Sequence, residues 1–404
     1  MSDLDVHPVE QVIDPADARP CEGPELLAPR EVPLGGPRAM PVLRALPNRP
    51  RHLIGAWCFV DVYGPVDVGA GPGMVVPPHP HTGLQTVSWI VRGEVEHRDS
   101  IGSHATVRPG GVGLMTAGRG IAHSESTPDE HGPVLHGAQL WIALPRHVWR
   151  GAPDFEAPHP LPRATFAASS APRADDSATV SAASMASDEP GVRAVAGEDG
   201  VSLVATVLVG RFAGVVAPTT VHSPLVGVGL HADGCLDAEL RLDTAFEHGV
   251  VALGEGVRVD NLDVPVGGIA YLPAGTGSVL LTTRGAADAM LIGGEPFDER
   301  VVMFWNFVAP SHDDVLEARR PGARAFRAAQ RRRAPAIRRR RRRTRRVARA
   351  RPPHRAAAPA RPTRRRPRPV DRLNAAHGAA PLRDIPESDA ARRPRPRRAP
   401  RSVR

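Results

Sequence analysis

PPHPHTGLQTVSWIVRGEVEHRDSIGSHATVRPGGVGLMTAGRGIAHSES, residues 77–126, carries most of the structural signal in this 404-residue chain. The run Leu84 to Val91 is rich in Val, Ile, Trp and Thr, and glycines punctuate the residues after it. Short β-prone runs between glycine turns read as hairpin-connected strands. Along a strand, side chains two residues apart share a face. His79 and His81 therefore project together, and so do His123 and Glu125. If the two segments are neighbours in a barrel, three imidazoles and one carboxylate converge inside it. Fe(II), Mn(II), Ni(II), Cu(II) and Zn(II) all accept such donors, and four of them leave one or two positions open for water, substrate or dioxygen. An open site suits catalysis or sensing; a purely structural one would be closed.

Neither pair means much alone. With 17 His in 404 residues, His-x-His arises by chance about 0.7 times in a chain of this length, and His-x-Glu is as easily a surface pair. The texture around them adds weight. From Pro41 to about Pro162, β-type runs (His52 to Tyr63, Leu84 to Val91, Ala138 to Leu144) alternate with Gly and Pro turns, and no helix-period stretch interrupts them. A second block of the same kind spans residues 201–318, with runs such as Val201 to Gly210 and Gly249 to Val259. Two tandem β-barrels are expected: an irregular lead-in over 1–40 with one edge strand, a metal-binding barrel over 41–163, a linker or long loop over the Ala/Ser/Asp/Gly-rich 164–200, and a metal-free barrel over 201–318. Ser311, followed by Asp313 and Asp314, predicts an N-cap and a short helix to about Arg319.

Charge divides the chain sharply. Residues 319–404 hold 32 Arg against 4 acids, a balance of +28, whereas the body has 20 Arg against 39 acids, a balance of −19. No lysine occurs, which fits the codon usage of a high-GC bacterium. The Arg-Pro-Ala segment predicts a disordered tail, because it offers too little apolar surface to offset its ordering entropy. It would hold nucleic acid nonspecifically at best, having no base-stacking aromatic beyond Phe326. Out-of-frame translation of a GC-rich gene explains its composition better than a function does.

No run of eighteen apolar residues occurs, and the first residues, MSDLDVHPVEQVIDPAD, lack the basic end and apolar stretch of a signal peptide. Cys21, Cys58 and Cys235 are far apart and form no CxxC, which fits a reducing compartment. A cytoplasmic monomer with no membrane contact is expected.

The long pattern His79-Pro80-His81-x-Gly83, Thr86-Val87-Ser88, Gly93, His97-x-Asp99-Ser100-x-Gly102 and Met115-Thr116-Ala117-Gly118-Arg119-Gly120-Ile121-x-His123-Ser124-Glu125 resembles the pirins, a branch of the cupin superfamily. Leu46-Pro47, the stretch Gly55 to Pro65, His136 to Pro145, and Gly293-Gly294-Glu295-Pro296-x-x-Glu299 extend the likeness over about residues 32–318. The resemblance implies an all-β bicupin with one divalent metal, Fe(II) first, on His79, His81, His123 and Glu125. It also implies one of two roles. The first is dioxygenase chemistry on a flavonol such as quercetin, with a small aromatic substrate, dioxygen as partner and Glu125 as both ligand and base. The other is a non-enzymatic one, in which the metal's redox state tunes binding to a protein partner such as a transcription factor or metabolic enzyme.

Two departures stand out. Gln85 occupies a position where pirins usually carry Glu, which predicts altered surroundings for the ligands. Val302 to Val308 differs from the commonest family ending. His97 and Asp99 read either as groups that orient ligands or as a turn held by Asp99. Trp57, Phe59, Trp89 and Met115 read as core, with an aromatic substrate pocket as the second reading. His222, His231 and His248 in the second barrel read as ordinary surface or core histidines.

Overall fold

The computed structural model describes residues 10–15, 21, 23–34, 40–71, 73–169 and 189–319. Two sheet pairs account for nearly all of it. In the first, a seven-stranded sheet runs in the order Asp154–Glu156, Val112–Thr116, Leu84–Arg92, Val134–Ala143, Trp57–Asp67, Met40–Leu46, Arg30–Leu34. Its companion sheet runs Val75–His81, Ile121–Ser126, Val95–Asp99, His104–Val107. The second pair repeats this order from the opposite edge of its large sheet, with one strand more in its smaller sheet. Arg163–Ala167, Ser202–Val209, Leu225–Ala232, Ala287–Gly294, Glu247–Ala252, Ile269–Leu272 and Glu25–Leu27 form its large sheet. Gly191–Gly197, Cys235–Arg241, Ser278–Arg284, Val257–Val259 and Leu262–Asp263 form its smaller one. The fold is all-β, with two cupin barrels.

The strand Leu84–Arg92 shows why the sequence there is apolar almost without alternation. Leu84 and Ile90 pack with Phe59, Met115 and Trp141 inside the first barrel. Val87 and Trp89 point the other way, into a core shared with Leu225, Val251, Met290 and Ile292 of the second. A strand buried on both faces has no solvent side to carry polar residues. Close contact between the barrels depends on missing side chains. A Cβ on Gly229 would lie 2.6 Å from the Trp89 ring, and one on Gly227 would lie 3.0 Å from Trp57. Trp57 Nε1–H also donates to the Gly293 carbonyl across this boundary, at 3.2 Å.

The lead-in is more structured than its composition suggests. Gln11–Ile13 pairs with Val301–Phe304, Glu25–Leu27 adds an edge to the second barrel's sheet, and Arg30–Leu34 adds one to the first. Three-residue strands carry too little periodicity to be seen in sequence, and their partners lie far along the chain. Residues 164–200, expected as a linker, likewise begin and end in sheet. Arg163–Ala167 pairs with Ser202–Val209, and Gly191–Gly197 pairs with Cys235–Arg241. Small residues suffice there because an edge strand is held mainly by backbone hydrogen bonds. Ser311 caps the helix 312–319 as expected, its Oγ accepting from the Asp314 N–H at 3.2 Å. The Arg-rich segment from residue 320 onward lies outside the described residues. No helix among the described residues is long and apolar enough to cross a membrane.

Candidate metal centre

Strand Val75–His81 lies antiparallel to Ile121–Ser126, with His79 opposite His123 and His81 opposite Ile121. The register slips between His123 and Glu125. On its other edge Ile121–Ser126 pairs with Val95–Asp99, which sets His97 opposite Glu125 and Asp99 opposite His123. His79, His81 and His123 converge, with ring centroids 4.5 to 4.9 Å apart, and one ring nitrogen of each lies within 4.8 Å of the others. A second group, His97, His123 and Glu125, meets the same limit and shares His123 with the first. The residues singled out in sequence thus come together as two overlapping triads. His97 stands closer to the centre than either of its expected roles required.

All five side chains are 3% exposed or less. Burial holds the pKa of His79, His81 and His123 well below the ordinary histidine value, and the neighbouring imidazoles push the same way. At neutral pH the rings are uncharged and their lone pairs are available. His79 Nδ1–H donates to the Pro77 carbonyl at 2.9 Å, which leaves the ring's lone pair on Nε2. His123 is fixed through a relay. Asp99 Oδ2 accepts from His97 Nε2–H at 3.2 Å, so His97 Nδ1 is an acceptor and His123 Nδ1–H donates to it at 3.4 Å. His123 Nε2 then carries a lone pair. Hydrogen bonding of the far nitrogen is what selects a ligating tautomer.

Asp99 does both things its sequence position suggested. Its Oδ1 accepts the N–H groups of Ile101, Gly102 and Ser103 at 2.9 to 3.0 Å and so builds the turn. Burial pushes its carboxyl pKa up, but the His97 and Ser103 hydrogen bonds outweigh that and hold it below the usual range. Glu125 is gripped by Ser88, whose Oγ–H donates to Oε1 at 2.8 Å. Gln139 lies 2.9 Å from the same hydroxyl. A hydroxyl has one proton, so the arrangement closes when the Gln139 amide donates to Ser88 and Ser88 to Glu125. Tyr63 is also close: burial and the Glu125 charge hold its phenol pKa above the usual value.

His81 Nδ1, His81 Nε2 and His123 Nε2 make no hydrogen bond of good geometry in a buried site, although the Asn306 backbone bears on the His81 ring. Buried unpartnered nitrogens on converging neutral imidazoles fit a divalent transition metal, which accepts the lone pairs the protein leaves unused.

Aromatic groups brace this centre from both sides. His97 stacks on Phe155, with centroids 4.0 Å apart and planes 2° apart. Behind His81, the Trp141 ring meets it edge-on at 5.1 Å and stacks on Phe59 at 4.1 Å; Arg44 lies over Phe59 and forms a two-point ion pair with buried Asp61. Phe155 has no signal in sequence, because its three-residue strand reaches the barrel only through pairing with Val112–Thr116. Trp57, Phe59, Trp89 and Met115 are packed in the cores. A cavity of about 420 Å³ adjoins the centre at His81, lined also by Thr82, Arg119, Ile121 and Trp149.

Gln85 is hydrogen-bonded away from the buried histidines and Glu125, contrary to the expectation that it alters their surroundings. Its Nε2–H groups donate to Thr116 Oγ1 at 2.8 Å and to the Thr220 carbonyl at 2.9 Å. It shares a face with Val87 and Trp89, so it joins the two barrels and leaves the centre to Thr86 and Ser88. The Val302 to Val308 stretch forms a hairpin that meets the first barrel, where the Val308 N–H donates to the Thr82 carbonyl at 3.0 Å.

In the second barrel, strands Cys235–Arg241 and Ser278–Arg284 occupy the place of the two donor strands, and Ala238, Leu240, Val279 and Leu281 fill its core there. His231 is exposed and pairs with Asp288, whereas His248 is buried.

Two barrels in tandem, with a histidine cluster in the first and, among the described residues, apolar side chains at the matching place in the second, define a bicupin. The family profile described as Pirin matches residues 39–142, and the one described as Pirin C-terminal cupin domain matches residues 228–325. The chain is 38% identical over 292 residues to a Pseudomonas aeruginosa protein named "Putative quercetin 2,3-dioxygenase", covering 72% of this chain and 81% of that one. A pirin-like protein of Caulobacter vibrioides is 31% identical, over 68% of this chain and 85% of its own length. The crystal structure of a quercetin 2,3-dioxygenase from Acinetobacter baumannii superposes with a TM-score of 0.62 at 36% identity, covering 74% of this chain and 87% of that one. This chain belongs to the pirin family.

Proposed function

We propose that the chain is an iron-dependent dioxygenase-type enzyme for flavonol-like substrates, with His79, His81, His123 and Glu125 as the metal-holding set. The observation that carries this reading is the buried triad of His79, His81 and His123, which shares His123 with a second triad containing Glu125, a carboxylate already held by Ser88. The names of the Pseudomonas and Acinetobacter relatives support the substrate class. Bound there, the metal would act as a Lewis acid and template for a substrate hydroxyl and dioxygen.

The chain's own residues supply the rest. Glu125 would take the proton of the substrate hydroxyl, since a carboxylate in hydrogen-bond reach of that group is a competent base. Ser88 and Gln139 fix its orientation, and Asp99 with His97 fixes that of His123. Near-complete burial of the centre keeps bulk water away from it.

The test is anaerobic iron loading followed by a quercetin assay under oxygen. Near-stoichiometric iron and quercetin loss, both abolished in the His81→Ala and Glu125→Ala variants, is the expected outcome. Iron bound at the site with quercetin untouched would move the centre to a binding or sensing role.

A further inference from the structure

The second barrel contains a partly open pocket that the metal centre does not use. Its volume is about 230 Å³, and its walls include Phe212, Leu225, Val226, Leu242, Phe246 and Leu291. His248 lines the same cavity, is 1% exposed, and has an Nδ1 that makes no hydrogen bond of good geometry, although the Phe246 backbone bears on the ring. A polar atom buried in that state is costly unless a ligand group completes it.

The charges around the cavity narrow the ligand. Arg211, Arg241 and Asp243 stand among the lining residues, and Arg211 is paired with Glu189 at 3.5 Å. These two cations and two anions balance. His248 itself is neutral at pH 7, because burial pushes its pKa down to about 4 against the opposing pull of Asp243 and the Phe246 backbone. An anionic ligand therefore meets no net positive field. Clefts for drug-sized ligands span about 300–1,000 Å³, so this smaller space suits a single substituted ring. The aromatic and aliphatic walls supply contact for the ring, and His248 supplies one polar partner.

We propose that the second barrel is a binding site for a small uncharged phenol, its ring held by Phe212, Phe246 and Leu291 and its hydroxyl meeting His248. The site is independent of the metal centre.

The test uses the full chain titrated with 4-methylphenol, toluene and 4-methylbenzoate, followed by calorimetry and by the ¹⁵N resonances of the His248 imidazole. The expected result is binding of 4-methylphenol with a shift of that imidazole, and at least tenfold weaker binding of the other two. The His79→Ala/His123→Ala variant should bind 4-methylphenol unchanged, which separates this site from the first barrel. His248→Phe should abolish the preference for 4-methylphenol over toluene. Equal affinity for 4-methylphenol and toluene, or an imidazole unmoved at saturation in the unaltered protein, would overturn the proposal whether or not the variant folds.

Discussion

Asp99 holds His97 by one carboxylate oxygen, at 3.2 Å from Nε2, while its other oxygen ties the turn at the end of its own strand. A single side chain thereby couples the shape of a surface turn to the tautomer of a buried imidazole two rings away.

Asp99→Asn tests that coupling. The amide oxygen can still accept from the turn, but the amide NH₂ would donate to His97 Nε2. His97 Nδ1 would then carry the proton, and His123 would be driven to protonate Nε2, the nitrogen that should face the metal. Loss of such an orienting partner typically costs about 10–100-fold in metal affinity. Competition titration with a chromogenic chelator measures it, and an unchanged affinity would mean that the relay is only structural.

Ser88→Ala removes the hydroxyl that donates to Glu125 at 2.8 Å. A hydrogen bond to a charged group contributes about 1.5–3 kcal/mol, so metal affinity should fall at least tenfold while the fold persists. Circular dichroism with the same titration distinguishes this from general unfolding. Retained affinity would show that the Ser88 hydrogen bond does not position the carboxylate for the metal.

Gly229→Ala places a methyl group 2.6 Å from the Trp89 ring at the junction of the barrels. Overpacking of this kind costs about 1–3 kcal/mol, visible as a lower urea midpoint. Metal content should be unaffected, since Trp89 faces away from the histidines. Trp89→Phe should recover part of the loss, and strict additivity of the two changes would disprove the contact.

Acid should destabilise the protein partly through His248. Its folded pKa of about 4 lies below the ordinary histidine value of 6.5, so the unfolded chain binds the extra proton first. The stabilisation is complete above pH 6.5 and declines as pH falls from there to about 4. At 1.36 kcal/mol per unit, the span is about 3 kcal/mol. Denaturation of the unaltered protein and His248→Phe at pH 7 and pH 4.5 should show a smaller loss in the variant; identical pH slopes would refute the assignment.

Much of the centre is legible in the amino-acid sequence. Strand periodicity alone puts His79 with His81 and His123 with Glu125, because alternation is a property of the extended backbone. Local hairpins then bring the two segments together, since both lie within fifty residues joined by glycine turns. The direction of Gln85 is the instructive failure. Periodicity sets it apart from Thr86 and Ser88 but does not say which face holds the metal, and here the opposite face is buried too. Phe155 and the edge strand Glu25–Leu27 are equally invisible, being short segments whose partners are distant in sequence.

The amino-acid sequence by itself therefore establishes the all-β character, the two barrels and the histidine pairs, because each rests on short-range spacing and turn chemistry. The tertiary structure alone settles which residues cross between barrels, the relay from Asp99 to His123, the Ser88 grip on Glu125 and the placement of buried His248 against the pocket of the second barrel. These depend on long-range packing, where a side chain's chemistry is set by what the fold places opposite it.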